Sequence, residues 1–473
     1  MQGAAWIGGR WETDGEVLLV HDPYRGTPVG TVPRCGPEQV DAAVGAAAAA
    51  FPAWSEAPAW RRAAVLERVT TLLSREAEAL AALLVAEAGK PIHYARAEVA
   101  RAIETFRLST EEARRLHGET VPLDAVPAGE GRFGFWWRVP AGVVAAISPF
   151  NFPLNLVAHK VGPALAAGCT VVLKPASATP LCAFRLACLL EEAGLPPGVV
   201  NVVFGEGATV GERLVADPRV AVVSFTGSAA VGRRIAALAA PRRVVLELGG
   251  NCGVLLDADT DLARAVPRCV ESAFAHAGQV CISLQRIYVH AALAEPFTAA
   301  FLEAAAQVVS GDPADPATVV GPMICAEEAA RAVAWVEEAR AAGARVLLGG
   351  GREGAMMAPT VLDRVAPELR VVRDEVFAPV VTIASVPDFE EGLRQLGDST
   401  YGLQAGVYTR DLGRALSAAR RLDVGGVMVN DTPIFRVDHM PYGGNRGSGL
   451  GREGVRFAVE EFTTPRMVVI DPR

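Results

Sequence analysis

Residues 142–194 read GVVAAISPFNFPLNLVAHKVGPALAAGCTVVLKPASATPLCAFRLACLLEEAG, and the alternation within them decides the fold class. GVVAAIS and TVVLKPA are short, continuously apolar runs closed by turn residues, the pattern of strands covered on both faces. PLNLVAHKVGPALAAG between them has the length of a helix. TPLCAFRLACLLEEAG follows as a second helix, with Thr179 expected as N-cap and Pro180 in the first turn. VVNVVFG, AVVSF and RRVVLEL then continue the strands as far as residue 248, with a helix in each interval. Strand–helix units repeated at this length predict an α/β fold on a doubly wound parallel sheet.

Upstream, residues 37–117 read as helices: DAAVGAAAAAFPAW, then WRRAAVLERVTTLLSREAEALAALLVAEAG with apolar residues at helical spacing and Gly89 capping its end. From about residue 260 a second alternating region begins. LARAVPRCVESAFAHA and AEEAARAVAWVEEARAAG are helical in pattern, and RIYVHA, ARVLLG, PVVTIASV and GVMVN are strand-like. GRFGFWWRVP (131–140) and FTTPRMVVI (462–470) are strand-like pieces outside either repeat. An unpaired strand is a liability, so both are expected to pair within an oligomerisation arm.

At 473 residues, 51% apolar and 21% charged, the chain has ample core without disulfides or metals. A net charge of −8 gives no basic face for nucleic acid. No apolar run reaches membrane-spanning length, and MQGAAWIGGRWETDG lacks the regions of a signal peptide, so a soluble cytoplasmic protein is expected. Eight cysteines show no CxxC pair and no Cys/His cluster, which argues against a metal site. Three lysines stand against forty-two arginines. A bias that strong leaves lysine where arginine would fail: Lys90, Lys160 and Lys174.

Glu247 closes the apolar run of VVLELGGN, and Cys281 lies thirty-four residues later in AHAGQVCIS. A thiolate is a strong nucleophile, and a nearby carboxylate can deprotonate water to release what the thiolate has captured. The pair points to a thiohemiacetal or thioester route, against the plainer reading of a buried thiol and a strand-end acid. In SPFNFPLN (148–155), Asn151 stands between a strand and a helix. Its amide and the Cys281 backbone N–H would hold an oxyanion, each donor worth roughly 3–4 kcal/mol. Lys174, in LKPASATP (173–180), ends a strand where doubly wound sheets bind ligands, suited to a ribose hydroxyl or a phosphate. FTGSAAVG (225–232) turns through Gly227 into a helix whose N-terminus suits a phosphate; its glycines are five apart, so it is not GxGxxG. In DEVFAPVV (374–381), Glu375 suits a ribose diol and Phe377 a nicotinamide. Taken singly, each of these has a plain structural reading as a turn, cap or surface residue.

Taken in order, Asn151, Lys174, Gly227/Ser228, Glu247, Cys281, Glu375/Phe377 and then PYGGNRGSGLGREG (441–454) resemble the NAD(P)-dependent aldehyde dehydrogenase superfamily nearly end to end. ELGGN followed by GQxCxS is the most specific part. The resemblance implies a dinucleotide-binding domain (1–120 and 141–247), an α/β catalytic domain (248–440) and a small β oligomerisation arm (121–140 and 455–473). It implies Cys281 as the nucleophile, Asn151 as the oxyanion donor and Glu247 as the base that hydrolyses the thioester. Lys160 matches a family lysine near the active site, and Ser228 follows the glycine of the phosphate-binding turn. Glu375 matches the nicotinamide-ribose ligand, Phe377 the aromatic beside it, and Glu453 a second carboxylate of proton relay. CoA-acylating members lack the base, so acid formation is expected.

NAD-preferring relatives often carry Glu where this chain has Ser177, so NAD or NADP is expected, with NADP accepted through Lys174 and Ser177. Relatives acting on phosphorylated aldehydes often have Arg where Val280 stands, and Phe150, Phe152 and Ile282 add apolar surface. A small aliphatic or hydroxyaldehyde of the lactaldehyde kind is the first expectation and succinate semialdehyde the second. Arg107, Arg286, Arg436 and His439 are the candidate carboxylate receivers. A homodimer or homotetramer is expected, with no nucleic-acid or membrane partner. A cysteine hydrolase using His276, five residues before Cys281, would leave Lys174 and the nucleotide sheet unexplained. A non-catalytic nucleotide-binding scaffold would be signalled by loss of Cys281 or Glu247, and both are present.

Overall fold

The structure, a computed structural model, describes residues 1–472. Five parallel strands form the centre of an eight-stranded sheet, in the spatial order Val200–Val202, Thr170–Lys174, Val143–Ile147, Val220–Thr226 and Arg243–Glu247. Chain order reverses between Val143–Ile147 and Val220–Thr226, which makes the crevice beyond their C-terminal ends the switch point where such sheets take ligands. Antiparallel strands finish both edges: Ala5–Ile7 with Arg10–Glu12 on one, Gly449–Leu450 on the other. Every residue of Val143–Ile147 and of Thr170–Lys174 is buried, as a sheet covered on both faces requires. Helix Asn155–Ala167 is buried along its whole length, between the sheet and helices Ile92–Ala113 and Val455–Glu461.

Two local readings are corrected. The long helical run breaks at Glu76 into Ala59–Arg75 and Ala77–Ala88, and the Glu76 carboxylate turns onto Arg185. Gly89 does cap the second helix, in the left-handed conformation with φ 62°. Thr179 is not an N-cap: the helix begins at Leu181, and the Thr179 hydroxyl donates to the Phe150 carbonyl. The free amides of Leu181 and Cys182 donate instead to the carboxylate of Glu87, at 2.7 and 2.9 Å. An acid from a distant helix does the capping, which no local pattern reveals.

A seven-stranded sheet follows, in the order Arg345–Leu348, Thr360–Asp363, Val380–Val386, Leu284–His290, Cys252–Leu256, Gln404–Tyr408 and Gly426–Val429, parallel except at the first strand. Each sheet has its own apolar core. The chain passes from one to the other through residues 248–251, directly after Glu247. The two strand-like pieces left outside the repeats find each other: Phe133–Pro140 pairs antiparallel with Thr463–Ile470 along its length and with Glu119–Val121 at its other edge. Of the stretch 455–473, helix Val455–Glu461 packs into the first core through Ala458 and Val459. No described helix is long and apolar enough to cross a membrane.

Candidate active site

Cys281 sits in the turn between the short helix Ala275–Gly278 and strand Leu284–His290. His276, Ala277 and Gly278 all have positive φ, at 50°, 54° and 67°. At Gly278 a Cβ would lie 2.1 Å from the Ala378 carbonyl oxygen, so the close approach of the two loops demands glycine. The thiol is half-buried, with Sγ 2.9 Å from the Tyr442 hydroxyl. Burial pushes its pKa to about 11, against the pull of that hydrogen bond and of the Arg436 charge. The Cys281 thiol therefore holds its proton at neutral pH.

Asn151 is buried in the loop that follows Val143–Ile147, and one amide N–H donates to the Gln279 carbonyl at 2.8 Å. That bond ties the switch point of the first sheet to the loop that carries Cys281. Among the described residues nothing accepts from the other Asn151 N–H or from the Cys281 N–H. The loop is braced from behind by a fully buried ion pair, Lys90 with Glu98. Glu98 accepts from the backbone N–H of Leu154 and of Asn155, and Lys90 Nζ lies 3.7 Å from the centre of the Phe152 ring.

Glu247 ends the last parallel strand, 3% exposed, and neither of its oxygens has a hydrogen-bond partner. Burial, and then repulsion from Glu453, push its pKa well above the usual carboxyl range, with Arg436, Lys160 and Arg452 opposing. Burial would raise Glu453 too, but Lys160, His159 and Arg436 outweigh it and bring that group to about 2. Lys160 Nζ donates to Glu453 at 3.1 Å and to Thr226 Oγ1 at 2.7 Å, and Arg436 donates to Glu453 at 3.1 Å. The two buried carboxyls are thus driven in opposite directions, Glu453 toward the anion and Glu247 toward the neutral acid. The paired glycines after Glu247 are explained by space: a Cβ on Gly249 would meet Glu375 Oε2 at 2.2 Å, and one on Gly250 the Cys281 carbonyl at 2.2 Å.

The residues expected to hold a nucleotide stand at or just after the ends of strands Thr170–Lys174 and Val220–Thr226, or just before strand Val380–Val386. Lys174 ends its strand buried, with the Pro175 carbonyl as its hydrogen-bond partner, and burial lowers its pKa to about 8 although Glu206 resists. A buried ammonium served by one carbonyl suits an anionic or hydroxylated ligand. Ser177 is exposed and donates to the Gly205 carbonyl at 2.8 Å. Ser228 is the N-cap of helix Ala229–Ala239, and the Gly227 N–H donates to the Glu247 carbonyl at 3.0 Å, joining that turn to the end of strand Arg243–Glu247. Glu375 accepts from the Gly250 N–H at 2.9 Å and is raised by burial to about 7. Phe377, at φ 51°, packs edge-on against Phe150.

Of the four cations named as carboxylate receivers, one reaches the site. Arg436 is buried, its guanidinium 3.5 Å from the centre of the Tyr442 ring, with Nε unpartnered. Arg107 lies on the surface paired with Glu104 and Glu111, Arg286 is spent on the carbonyls of Asn251 and Leu396, and His439 is exposed. His276 is buried against Phe152 and, among the described residues, makes no hydrogen bond to Cys281, whose sulphur faces Tyr442 instead, so the pairing that a cysteine hydrolase needs is missing. Tyr442 went unnoticed in the sequence although PYGG was plain. Its only signal was a hydroxyl on an otherwise apolar motif.

The profile of the Aldehyde dehydrogenase family matches residues 11–468. The chain is 45% identical to the 3-sulfolactaldehyde dehydrogenase of Priestia aryabhattai, over 99% of this chain and 98% of that one. Aldehyde dehydrogenase 21 of Physcomitrella patens, solved with the reaction product succinate, superposes with a TM-score of 0.97 at 38% identity, over 99% and 98% of the two chains. The NADP-dependent glyceraldehyde-3-phosphate dehydrogenase of Bacillus halodurans C-125, complexed with NADP, gives a TM-score of 0.97 at 35% identity, over 99% of both. A buried acid, a thiol and an amide joined across two sheets, in a chain matched over nearly its whole length, identify a member of the aldehyde dehydrogenase family, an enzyme that oxidises an aldehyde to a carboxylic acid.

Proposed function

We propose that Cys281 captures the aldehyde, that Asn151 and the Cys281 N–H hold the oxygen, and that Glu247 drives hydrolysis. The observation that supports this reading most is the Asn151–Gln279 hydrogen bond, which brings the Asn151 amide to the loop two residues before Cys281. The Cys281 sulphur adds to the carbonyl carbon, and the oxygen gains negative charge between those donors. A nicotinamide cofactor, when bound, supplies the acceptor for the hydride that leaves the thiohemiacetal as it becomes a thioester. Glu247 then takes a proton from water, whose oxygen attacks the thioester carbon; the acid departs and Cys281 is restored. Lys160 keeps Glu453 ionised, so that Glu247 is the carboxyl left to titrate.

Lys174, Ser177, Gly227 and Ser228, in the part of the chain spanning 1–120 and 141–247, and Glu375 and Phe377, in residues 248–440, are the residues suited to NAD or NADP; residues 248–440 also supply the nucleophile. Ser177 in place of an acid removes one carboxylate that would repel a 2′-phosphate, and a similar enzyme was solved with NADP. Absorbance at 340 nm, with a panel of aldehydes and each cofactor, tests both readings. NADP is expected to support a kcat/KM at least comparable with NAD; a much lower value refutes it, and silence with every pair refutes the oxidation.

A small hydroxyaldehyde of the lactaldehyde kind fits the apolar surface of Phe150, Phe152, Val280 and Ile282, and the similar Priestia enzyme is named for a sulfonated lactaldehyde. Arg436, with its unpartnered Nε, favours a second reading in which the substrate carries a distal acid, as succinate semialdehyde does. Phe133, Trp137, Met467, Val469 and Ile470 are exposed on the three-stranded sheet, which supports a homodimer or homotetramer formed through that arm. Solution mass is expected to be two or four chains; a monomer would contradict it. All eight cysteines are free, which suits the reducing cytoplasm.

A further inference from the structure

We propose that Tyr442 is a catalytic residue whose hydroxyl donates a hydrogen bond to the Cys281 thiolate, with Arg436 positioning the tyrosine to do so. The proposal rests on the reading of Cys281 as nucleophile. Tyr442 Oη lies 2.9 Å from Sγ, and among the described residues it is the sulphur's one hydrogen-bond partner. The tyrosine is 3% exposed and cannot swing away: its backbone pairs in both directions with Glu453, and its ring lies under the Arg436 guanidinium. Arg436 is in turn held by Glu453. Four groups therefore act on the thiol: Tyr442 and Arg436 favour the thiolate, while Glu247 and Glu375 oppose it.

A hydroxyl facing a sulphur can donate or accept, and burial settles which. Burial, with the nearby Cys281, raises the Tyr442 phenol well above its ordinary range although Arg436 opposes, so it keeps its proton whenever the thiol loses one. On activation the Cys281 S–H gives its proton to solvent, the electron pair stays on sulphur, and the Tyr442 O–H bond remains intact. A donor to an anion is a stronger partner than the same donor to a neutral thiol, so the contact shifts the equilibrium toward thiolate.

Tyr442→Phe keeps the ring, its packing and the guanidinium above it, and removes the donor alone. The full-length protein and this variant, without aldehyde or cofactor, are alkylated with iodoacetamide across a pH series. In that reaction a sulphur–carbon bond forms and iodide leaves. Modification is read on the Cys281 peptide by mass spectrometry, because Cys188 and Cys325 are also half-buried. The variant's profile is expected to move up by about one pH unit, which makes alkylation at neutral pH roughly tenfold slower. Cofactor binding unchanged by the variant shows that the fold is intact. Superimposable profiles would overturn the role of Tyr442 even if Cys281→Ser is inactive. Full turnover by Cys281→Ser would instead overturn the nucleophile, and the role of Tyr442 with it.

Discussion

Glu247→Gln is expected to release one equivalent of reduced cofactor per active site and then stall. The capture of the aldehyde and the loss of hydride need the thiol and the oxyanion donors, neither of which the substitution touches. Hydrolysis needs a proton acceptor, and a carboxamide is none. General-base catalysis contributes about 10²- to 10⁴-fold, so steady-state turnover should fall by at least ~100-fold while the burst keeps its amplitude. The variant should fold, because the native carboxyl is buried, raised in pKa and unpartnered at both oxygens, so a neutral amide of the same shape replaces it at little cost. The sign of the pH dependence follows from the same shift. Glu247 is neutral below its raised pKa and active as a base above it, so wild-type deacylation climbs with pH through that value. The climb should be missing from deacylation in the variant. Rapid mixing measures both, and an unchanged steady-state rate would remove Glu247 from the mechanism.

Asn151→Ala is expected to cost the chemical step itself, burst included. One amide N–H is held by the Gln279 carbonyl and the other is free to meet the developing oxyanion. Loss of one such donor is worth roughly 10²–10³ in kcat. Asn151→Asp provides the contrast, since it keeps the size and turns a donor toward the oxyanion into an acceptor; it should be no better than alanine. Thermal unfolding separates chemistry from damage, because the brace of Lys90 and Glu98 behind the loop is untouched. A burst rate within threefold of wild type in Asn151→Ala would falsify the assignment.

What could be read beforehand follows from which interactions are local. Buried parallel strands announce themselves as unbroken apolar runs, and GVVAAIS, TVVLKPA and RRVVLEL all lie in one sheet. The order of site residues carried the family resemblance, since Lys174 and Glu247 end strands and Ser228 caps a helix. Thr179 failed as a cap because Glu87, from a helix ninety-odd residues away, outcompetes it for the Leu181 amide. The break at Glu76 was hidden because apolar spacing is indifferent to one non-helical residue. Tyr442 meets the thiol across 161 residues of chain, and Arg436 was one guanidinium among many. Those contacts belong to the packing of the two sheets, where periodicity has nothing to say.

The three lysines have a consequence for the outer surface. Lys90, Lys160 and Lys174 are 0%, 1% and 3% exposed, so no ε-amine faces solvent. Aldehydes condense readily with free amines to give imines, and a guanidinium, protonated throughout the working range, is far poorer at this. The protein thus presents to its own substrate a skin in which, among the described residues, no lysine ε-amine is open to such adducts. Reagents that acylate lysine ε-amines should leave that surface unlabelled.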